Sequence, residues 1–382
     1  MKQYEFHYIG MPHLPVTKEY SACAFTQKIH GLTRMLLDMG HIVYLYGVSH
    51  TDIEHSNLEF IPVVSLNDIR DEWGDGDNRF EIGYDWKSEG FRHDINGNPT
   101  AVRHKFEQYT ILNITNRVQD DHFLLLSQGM YHKSIADKVG LYLTCEPGIG
   151  YRGSYAPFRA FESSYIQNFT YGSEHPRQSI DGSYYDRVIP NYVDPDEFDF
   201  GDNPGNHLAY IGRLVPRKGV STAMKVADAL DVPLIVAGQG SLSDIPYKSD
   251  RVEHVGSLGV DGRREFLSSA LVGFLPTVYL EPFGTTSVEF MYSGTPVITT
   301  NFGVFPETIR NGVSGYRCDT LDDFVQNTKR AIDLDRRKVR RYAERFSMPE
   351  VSNKFCKWFD DLYRLYESSV DNVPGWHYIG TN

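Results

Sequence analysis

The sequence predicts an α/β protein of two domains, each built on a doubly wound parallel sheet. Length is the first reason: 382 residues are more than one hydrophobic core usually serves. The second is order. Short apolar runs of strand length alternate with segments of helical spacing, the pattern of parallel strands covered by helices. The third is a polar stretch near the middle, Gly201-Asp202-Asn203-Pro204-Gly205-Asn206, which follows a Pro-rich connection at Val188–Phe198. Domain boundaries fall in such segments. The first domain is set at 1–195 and the second at 196–359.

The first domain opens with a strand at Tyr4–Ile9, a loop Gly10-Met11-Pro12-His13-Leu14-Pro15, a helix, and a strand at Ile42–Tyr46. In that helix Ile29, Leu32, Leu36 and Met39 share one face, and Gly40 ends it. Next come a helix near Ala101–Val118, a strand Phe123–Leu126, a helix near Ser134–Val139 and a strand Leu141–Thr144. A further helix is expected near Ala156–Phe161, and His132 reads as a solvated helix-start residue. Asn67–Asn98, rich in acids and glycines with Trp73 and Trp86, shows neither period and reads as an inserted loop.

The second domain begins with the strand His207–Ile211. Gly212-Arg213-Leu214-Val215-Pro216-Arg217-Lys218-Gly219 turns it into a helix starting near Val220. Leu234-Ile235-Val236-Ala237-Gly238-Gln239-Gly240 repeats the strand-to-turn step. Strand Val252–Val255 and helix Asp261–Ala270 follow, then Gly273-Phe274-Leu275-Pro276 and the block Tyr279-Leu280-Glu281-Pro282-Phe283-Gly284-Thr285-Thr286-Ser287-Val288-Glu289. Strand Val297–Thr299, a helix opening near Phe305-Pro306-Glu307, and helices after Leu321 and Arg337 complete it. The last helix starts after Ser347-Met348-Pro349 and carries Val351, Phe355, Trp358, Phe359, Leu362, Tyr363 and Tyr366 at core spacing.

Two turns in this half carry chemistry. Arg213 and Lys218 put a guanidinium and an ammonium in one strand-to-helix turn, which suits a diphosphate. The 279–289 block ends a strand, turns through Pro and Gly, and opens a helix, whose first N–H groups and positive end favour a phosphate. It also holds one carboxylate before the turn and one inside the helix, and a carboxylate accepts hydrogen bonds from sugar hydroxyls. Nucleotide sugars carry both groups.

With Gly294-Thr295-Pro296-Val297-Ile298-Thr299 behind it, the block resembles the Glu-x7-Glu signature of retaining glycosyltransferases of the GT-B fold, specifically family 4. The Gly212–Gly219 turn is similar to that family's Gly-Arg-Leu-x-x-x-Lys-Gly, and Pro190-Asn191-Tyr192-Val193-Asp194 resembles its interdomain linker. The resemblance implies two Rossmann-like domains facing a cleft, with the segment of about 360–382, including Trp376 and Tyr378, packed back on the first. It implies a nucleotide-diphosphate sugar as co-substrate, with Arg213 and Lys218 on the phosphates, Glu281 on the sugar and Glu289 on the ribose. Gly10, His13, Gly212, Gly238, Phe283, Gly284, Thr285 and Thr286 complete the expected donor contacts. Where many members have two glycines after Phe-Gly, this chain has Thr285 and Thr286. Where members place a first-domain His, Glu146 is expected to face the cleft.

The implied reaction is transfer of a sugar to a hydroxyl with retention of configuration and without a metal. No cofactor is implied, and the pattern does not separate UDP, GDP or ADP sugars. The acceptor is a glycan, a lipid-linked glycan, a small molecule or a hydroxymethylated DNA base. A catalytically silent nucleotide-sugar-binding homologue is the alternative from another class. A net charge of −12 with both halves acidic lacks the basic stripe of nucleic-acid binders. Asp75-Gly76-Asp77 and Asp194-Pro195-Asp196 resemble a metal-binding Asp-x-Asp but fall in the insertion and the linker, and read as turns. With no apolar run of eighteen residues, no leader at Met1-Lys2-Gln3 and four scattered cysteines, the expected location is cytoplasmic and the thiols are expected reduced.

Overall fold

The computed structural model of the chain describes residues 2–20, 23–73, 101–174 and 182–370. Two parallel sheets form two Rossmann-like domains. The first has strands β1 (Glu5–Ile9), β2 (Ile42–Val48), β3 (Leu58–Val64), β4 (Phe123–Leu126), β5 (Thr144–Ile149), β6 (Phe158–Phe161) and β7 (Arg187–Val188), ordered β3-β2-β1-β4-β5-β6-β7. The second has β8 (Leu208–Ile211), β9 (Leu234–Ala237), β10 (Val252–His254), β11 (Val272–Leu275), β12 (Val297–Thr300) and β13 (Gly315–Cys318), ordered β10-β9-β8-β11-β12-β13. Strand order reverses between β1 and β4 and between β8 and β11. In open parallel sheets ligands bind outside the carboxyl ends of the strands at such switch points.

The elements follow their residues. β4 and β11 are buried on both faces and read as continuous apolar runs, and β6 is equally buried but carries Arg159. The Ala24–Asp38 helix buries Ile29, Leu32 and Leu36 against the first sheet, with Met39 packed at the edge. The Leu321–Ile332 helix has a capping box, with Thr320 and Asp323 bonding each other's backbone N–H groups.

Four expectations are corrected. The segment Phe158–Phe161 is a strand rather than a helix, pairing in parallel with β5. The first residues of the Asn67–Asn98 stretch belong to a helix, Leu66–Trp73; residues 74–98, and with them Asp75-Gly76-Asp77, lie outside the described residues. The final helix, Met348–Val370, joins the first domain's core from Met348 onward, through Val351, Phe355, Trp358, Phe359 and Leu362. The return to the first domain thus starts earlier than residue 360; Trp376 and Tyr378 lie outside the described residues. His132 precedes the Lys133–Val139 helix as expected but is fully buried, its ring stacked over Phe106.

Burial makes His132 acid-sensitive, together with His7, whose ring bonds Tyr46 and His122, and with His41. Desolvation lowers His7 and His132 to about 3 and His41 to about 4. These folded values lie below the unfolded value near 6.5, so the unfolded chain binds more protons as pH falls. The stability the neutral rings supply is complete above about pH 6.5 and declines below it. The buried carboxyls of Glu146, Glu162 and Asp186, raised by burial, act in the opposite sense. The comparison is therefore made against His132→Phe: between pH 6.5 and 5 its urea-unfolding free energy is expected to depend on pH less steeply than the parent's, by roughly one proton. Equal slopes would contradict a neutral buried ring.

Candidate functional site

The two switch points face one another across a cleft of about 1040 Å³. On the second-domain side its wall is formed by the loops that leave β8, β9 and β11. Pro216 starts a single 3-10 turn, Pro216–Lys218, and Gly219 ends it in the left-handed region at φ 76°. A side chain at Gly219 would put its Cβ 1.9 Å from the Pro276 carbonyl, so only glycine lets the β8 loop lie against the β11 loop. The amide of Val278 bonds Arg217 O at 2.9 Å and ties the two together.

This close approach assembles three side chains. Lys218 Nζ donates to the Tyr279 hydroxyl at 2.6 Å and to Glu281 Oε2 at 3.0 Å, while Tyr279 donates to the same carboxylate oxygen at 2.5 Å. Burial and the neighbouring Glu281 charge push the Tyr279 hydroxyl's pKa up, so it stays a donor. Arg213 stands exposed on the same wall, with its carbonyl held by the Tyr210 hydroxyl at 3.1 Å. Glu289, 1% exposed, projects from the Thr285–Tyr292 helix and pairs with Arg263 of the Val260–Ser269 helix.

Gly284, at φ 73°, starts the Thr285–Tyr292 helix, so Gly284, Thr285 and Thr286 present a helix N-terminus to the cleft. Thr285 is not a cap: its hydroxyl accepts from Asn191 Nδ2 of the linker at 3.0 Å. Phe283 sits at the cleft but buries its ring against Phe346, anchoring the turn. Gly212 and Gly238 also line the cleft, packed backbone to backbone: a Cβ on Gly238 would lie 2.1 Å from Gly212 O.

On the first-domain side, His13 lines the cleft with its Nε2 3.2 Å from Cys23 Sγ. Gly10 does not. Its amide bonds Tyr46 O at 2.8 Å, and its role is to let β1 exit beside β2.

Glu146 also departs from expectation. It is fully buried, and its carboxylate accepts from Gly129 N (3.0 Å), the Tyr151 hydroxyl (2.8 Å), Tyr155 N (2.8 Å) and Ala156 N (3.1 Å). Burial raises its pKa and these donors oppose the shift. A carboxylate occupied by four donors from two loops fastens those loops and does not face the cleft.

Among the described residues, the first-domain carboxylate that does line the cleft is Glu162, paired with Lys28 at 2.5 Å. The sequence does not reveal it, because a helix is expected there near Ala156–Phe161. As a strand, that segment puts Glu162 just past its carboxyl end, the position that signals a site in a parallel sheet.

The domains meet beside this pair. Ser163 Oγ donates to Pro282 O at 2.6 Å, and Glu307 accepts from Ser164 N at 2.9 Å and Tyr165 N at 2.7 Å, capping the Ser164–Glu174 helix from the other domain. Asp194 accepts from Asp196 N in a turn and pairs with Arg34, tying the linker to the first domain.

Residues 200–346 match the family model described as Glycosyl transferases group 1. The phosphatidylinositol N-acetylglucosaminyltransferase GPI3 subunit of Saccharomyces cerevisiae is 28% identical over 203 residues, covering 47% of this chain and 44% of that protein. The matched stretches span less than half the length of the first curated relatives. Among solved structures, AviGT4, a glycosyltransferase involved in avilamycin A biosynthesis, superimposes with a TM-score of 0.67 at 18% identity over 94% of this chain and 98% of that one. The HepE protein of Anabaena, solved with UDP and glucose, gives 0.59 at 13% identity over 94% and 100%. At these identities the likeness is one of fold.

Proposed function

We infer that this chain is a glycosyltransferase that moves a sugar from a nucleotide-diphosphate donor to a hydroxyl acceptor, with retention of configuration and without a metal. The observation that carries the reading is the convergence of Lys218, Arg213 and the Gly284–Thr286 helix start on one wall of the cleft, with Glu281 and Glu289 beside them. Two cations and a helix N-terminus suit a diphosphate. Two carboxylates at separate depths suit the hydroxyls of a sugar and of a ribose.

Each residue then has a task. Lys218 and Arg213 bind the diphosphate and stabilise the charge that grows on it as the sugar leaves, with the N–H groups at Gly284–Thr286 acting like an oxyanion hole. Lys218 already touches Glu281, so the phosphate-binding and sugar-binding groups are mechanically linked. Glu281, oriented by Tyr279, holds sugar hydroxyls and fixes the reacting carbon. Glu289, oriented by Arg263, holds the ribose. That the fold neighbour HepE was solved with UDP and glucose supports a nucleotide-sugar donor.

The test is turnover. The purified protein is incubated with UDP-, GDP- and ADP-sugars, with and without chelator, and products are read by mass spectrometry. Release of nucleoside diphosphate from at least one donor, unaffected by chelator, is expected. Absence of turnover with every donor, together with Glu281→Gln behaving as the parent, would favour the silent homologue.

A further inference from the structure

We propose that Glu162, held by Lys28, is the acceptor-side catalytic residue: its carboxylate receives the acceptor hydroxyl's hydrogen bond and takes its proton as the new glycosidic bond forms. The proposal rests on the glycosyltransferase reading and assigns the half of the reaction which that reading leaves without a residue.

Three placements support it. Glu162 follows β6, at the carboxyl end of a parallel strand, and faces the cleft although only 4% exposed. Its neighbour Ser163 bonds Pro282 O at 2.6 Å, one residue from Glu281. The carboxylate is thereby pinned at the point where the acceptor wall meets the sugar-binding loop. Finally, Gly150 makes room for it: a Cβ there would lie 2.2 Å from Glu162 Oε2 and 3.2 Å from Lys28 Nζ.

A purely structural role accounts for the pair poorly. Burying an ion pair seldom stabilises a protein more than apolar residues of the same volume would. Glu146, by contrast, shows what a structural carboxylate looks like here, with four donors filling its oxygens. Glu162 is given Lys28 at 2.5 Å, and Lys28 also donates to Gly148 O at 3.2 Å.

The charges that act on Glu162 are those of Lys28 from the Ala24–Asp38 helix and Glu281 from the other domain, while its own charge acts on the Tyr192 hydroxyl of the linker. Burial raises its pKa foremost, Lys28 opposes the rise and Glu281 adds to it. A carboxyl raised in this way is a better base near neutral pH than an exposed one.

The step balances. The acceptor oxygen bonds the anomeric carbon on the face from which the diphosphate departs, as retention requires, while the bond from that carbon to the diphosphate oxygen breaks. Its electron pair leaves with the nucleoside diphosphate held by Lys218 and Arg213, and the acceptor's proton passes to Glu162.

Water serves as the acceptor in the test, with UDP-glucose and GDP-mannose as donors and UDP and GDP as binding probes. Glu162→Gln is expected to slow donor hydrolysis by roughly 10²-fold or more, with the Kd for UDP or GDP within about twofold of the parent's. Glu162→Asp, which keeps the charge, should recover part of the rate. Lys28→Met should shift the acid limb of the rate to higher pH, since losing the ammonium raises Glu162's proton affinity. Parental hydrolysis by Glu162→Gln, equal losses in the Gln and Asp variants, or an unmoved acid limb in Lys28→Met would overturn the assignment while leaving the donor site intact. A parent that binds neither UDP nor GDP would instead bring down the donor reading, and this proposal with it.

Discussion

Lys218→Ala is expected to weaken nucleoside-diphosphate binding roughly 10- to 100-fold without a comparable loss of fold. A hydrogen bond to a charged group contributes about 1.5–3 kcal/mol, and each 1.4 kcal/mol is about tenfold in affinity. The fold is spared because Lys218 ends a surface 3-10 turn whose backbone is fixed by Pro216, Gly219 and the Val278 amide. None of these needs the lysine side chain. Arg213→Ala should move affinity in the same direction, since a guanidinium can fork across two phosphate oxygens. Isothermal titration with UDP and GDP reads both. Affinities equal to the parent's in both variants would refute the phosphate assignment.

Glu281→Gln should lower turnover by about 10²-fold, the order expected when a reacting group loses its exact placement. Its effect on binding separates it from Lys218. The carboxylate is a partner of Lys218 at 3.0 Å and of Tyr279 at 2.5 Å, so an amide there loosens the ammonium's hold on the protein. UDP without a sugar is therefore expected to bind at least as tightly to Glu281→Gln as to the parent, while the rate with the complete donor falls. Loss of UDP affinity matching the loss of rate would place Glu281 on the phosphates instead of the sugar.

That Arg213, Lys218, Glu281 and Glu289 share the second-domain wall is legible because they are close along the chain. Arg213, Lys218 and Gly219 lie within one turn, and Glu281 to Glu289 within one strand-to-helix passage, so spacing alone brings them to one wall. What spacing did not show is the partner of each: Tyr279 on Glu281 and Arg263 on Glu289 are set by how two loops and two helices pack.

The first domain hid more. Phe158-Arg159-Ala160-Phe161 is too short for its apolar spacing to distinguish strand from helix, and its pairing with β5 decides the matter. Glu146 and Glu162 both follow or enter short apolar runs and look alike in sequence. Amides of Gly129, Tyr155 and Ala156 turn one into a fastener, whereas Lys28 and Gly150 leave the other at the cleft. These partners lie about 10 to 130 residues away along the chain, beyond any local pattern. The burial of His132 is hidden for a similar reason. A helix-start position is usually solvated, but here the Phe106 ring covers it.

We expect the diphosphate of an activated sugar to be held by Arg213, Lys218 and the Gly284–Thr286 helix start. A crystal structure determined with UDP, or with the donor sugar that the turnover screen identifies, shows whether it is. The phosphates should lie between the Lys218 ammonium and the first amides of the Thr285–Tyr292 helix, with Glu281 turned to the sugar. Phosphates bound away from that wall, with Lys218 still joined only to Glu281 and Tyr279, would contradict it.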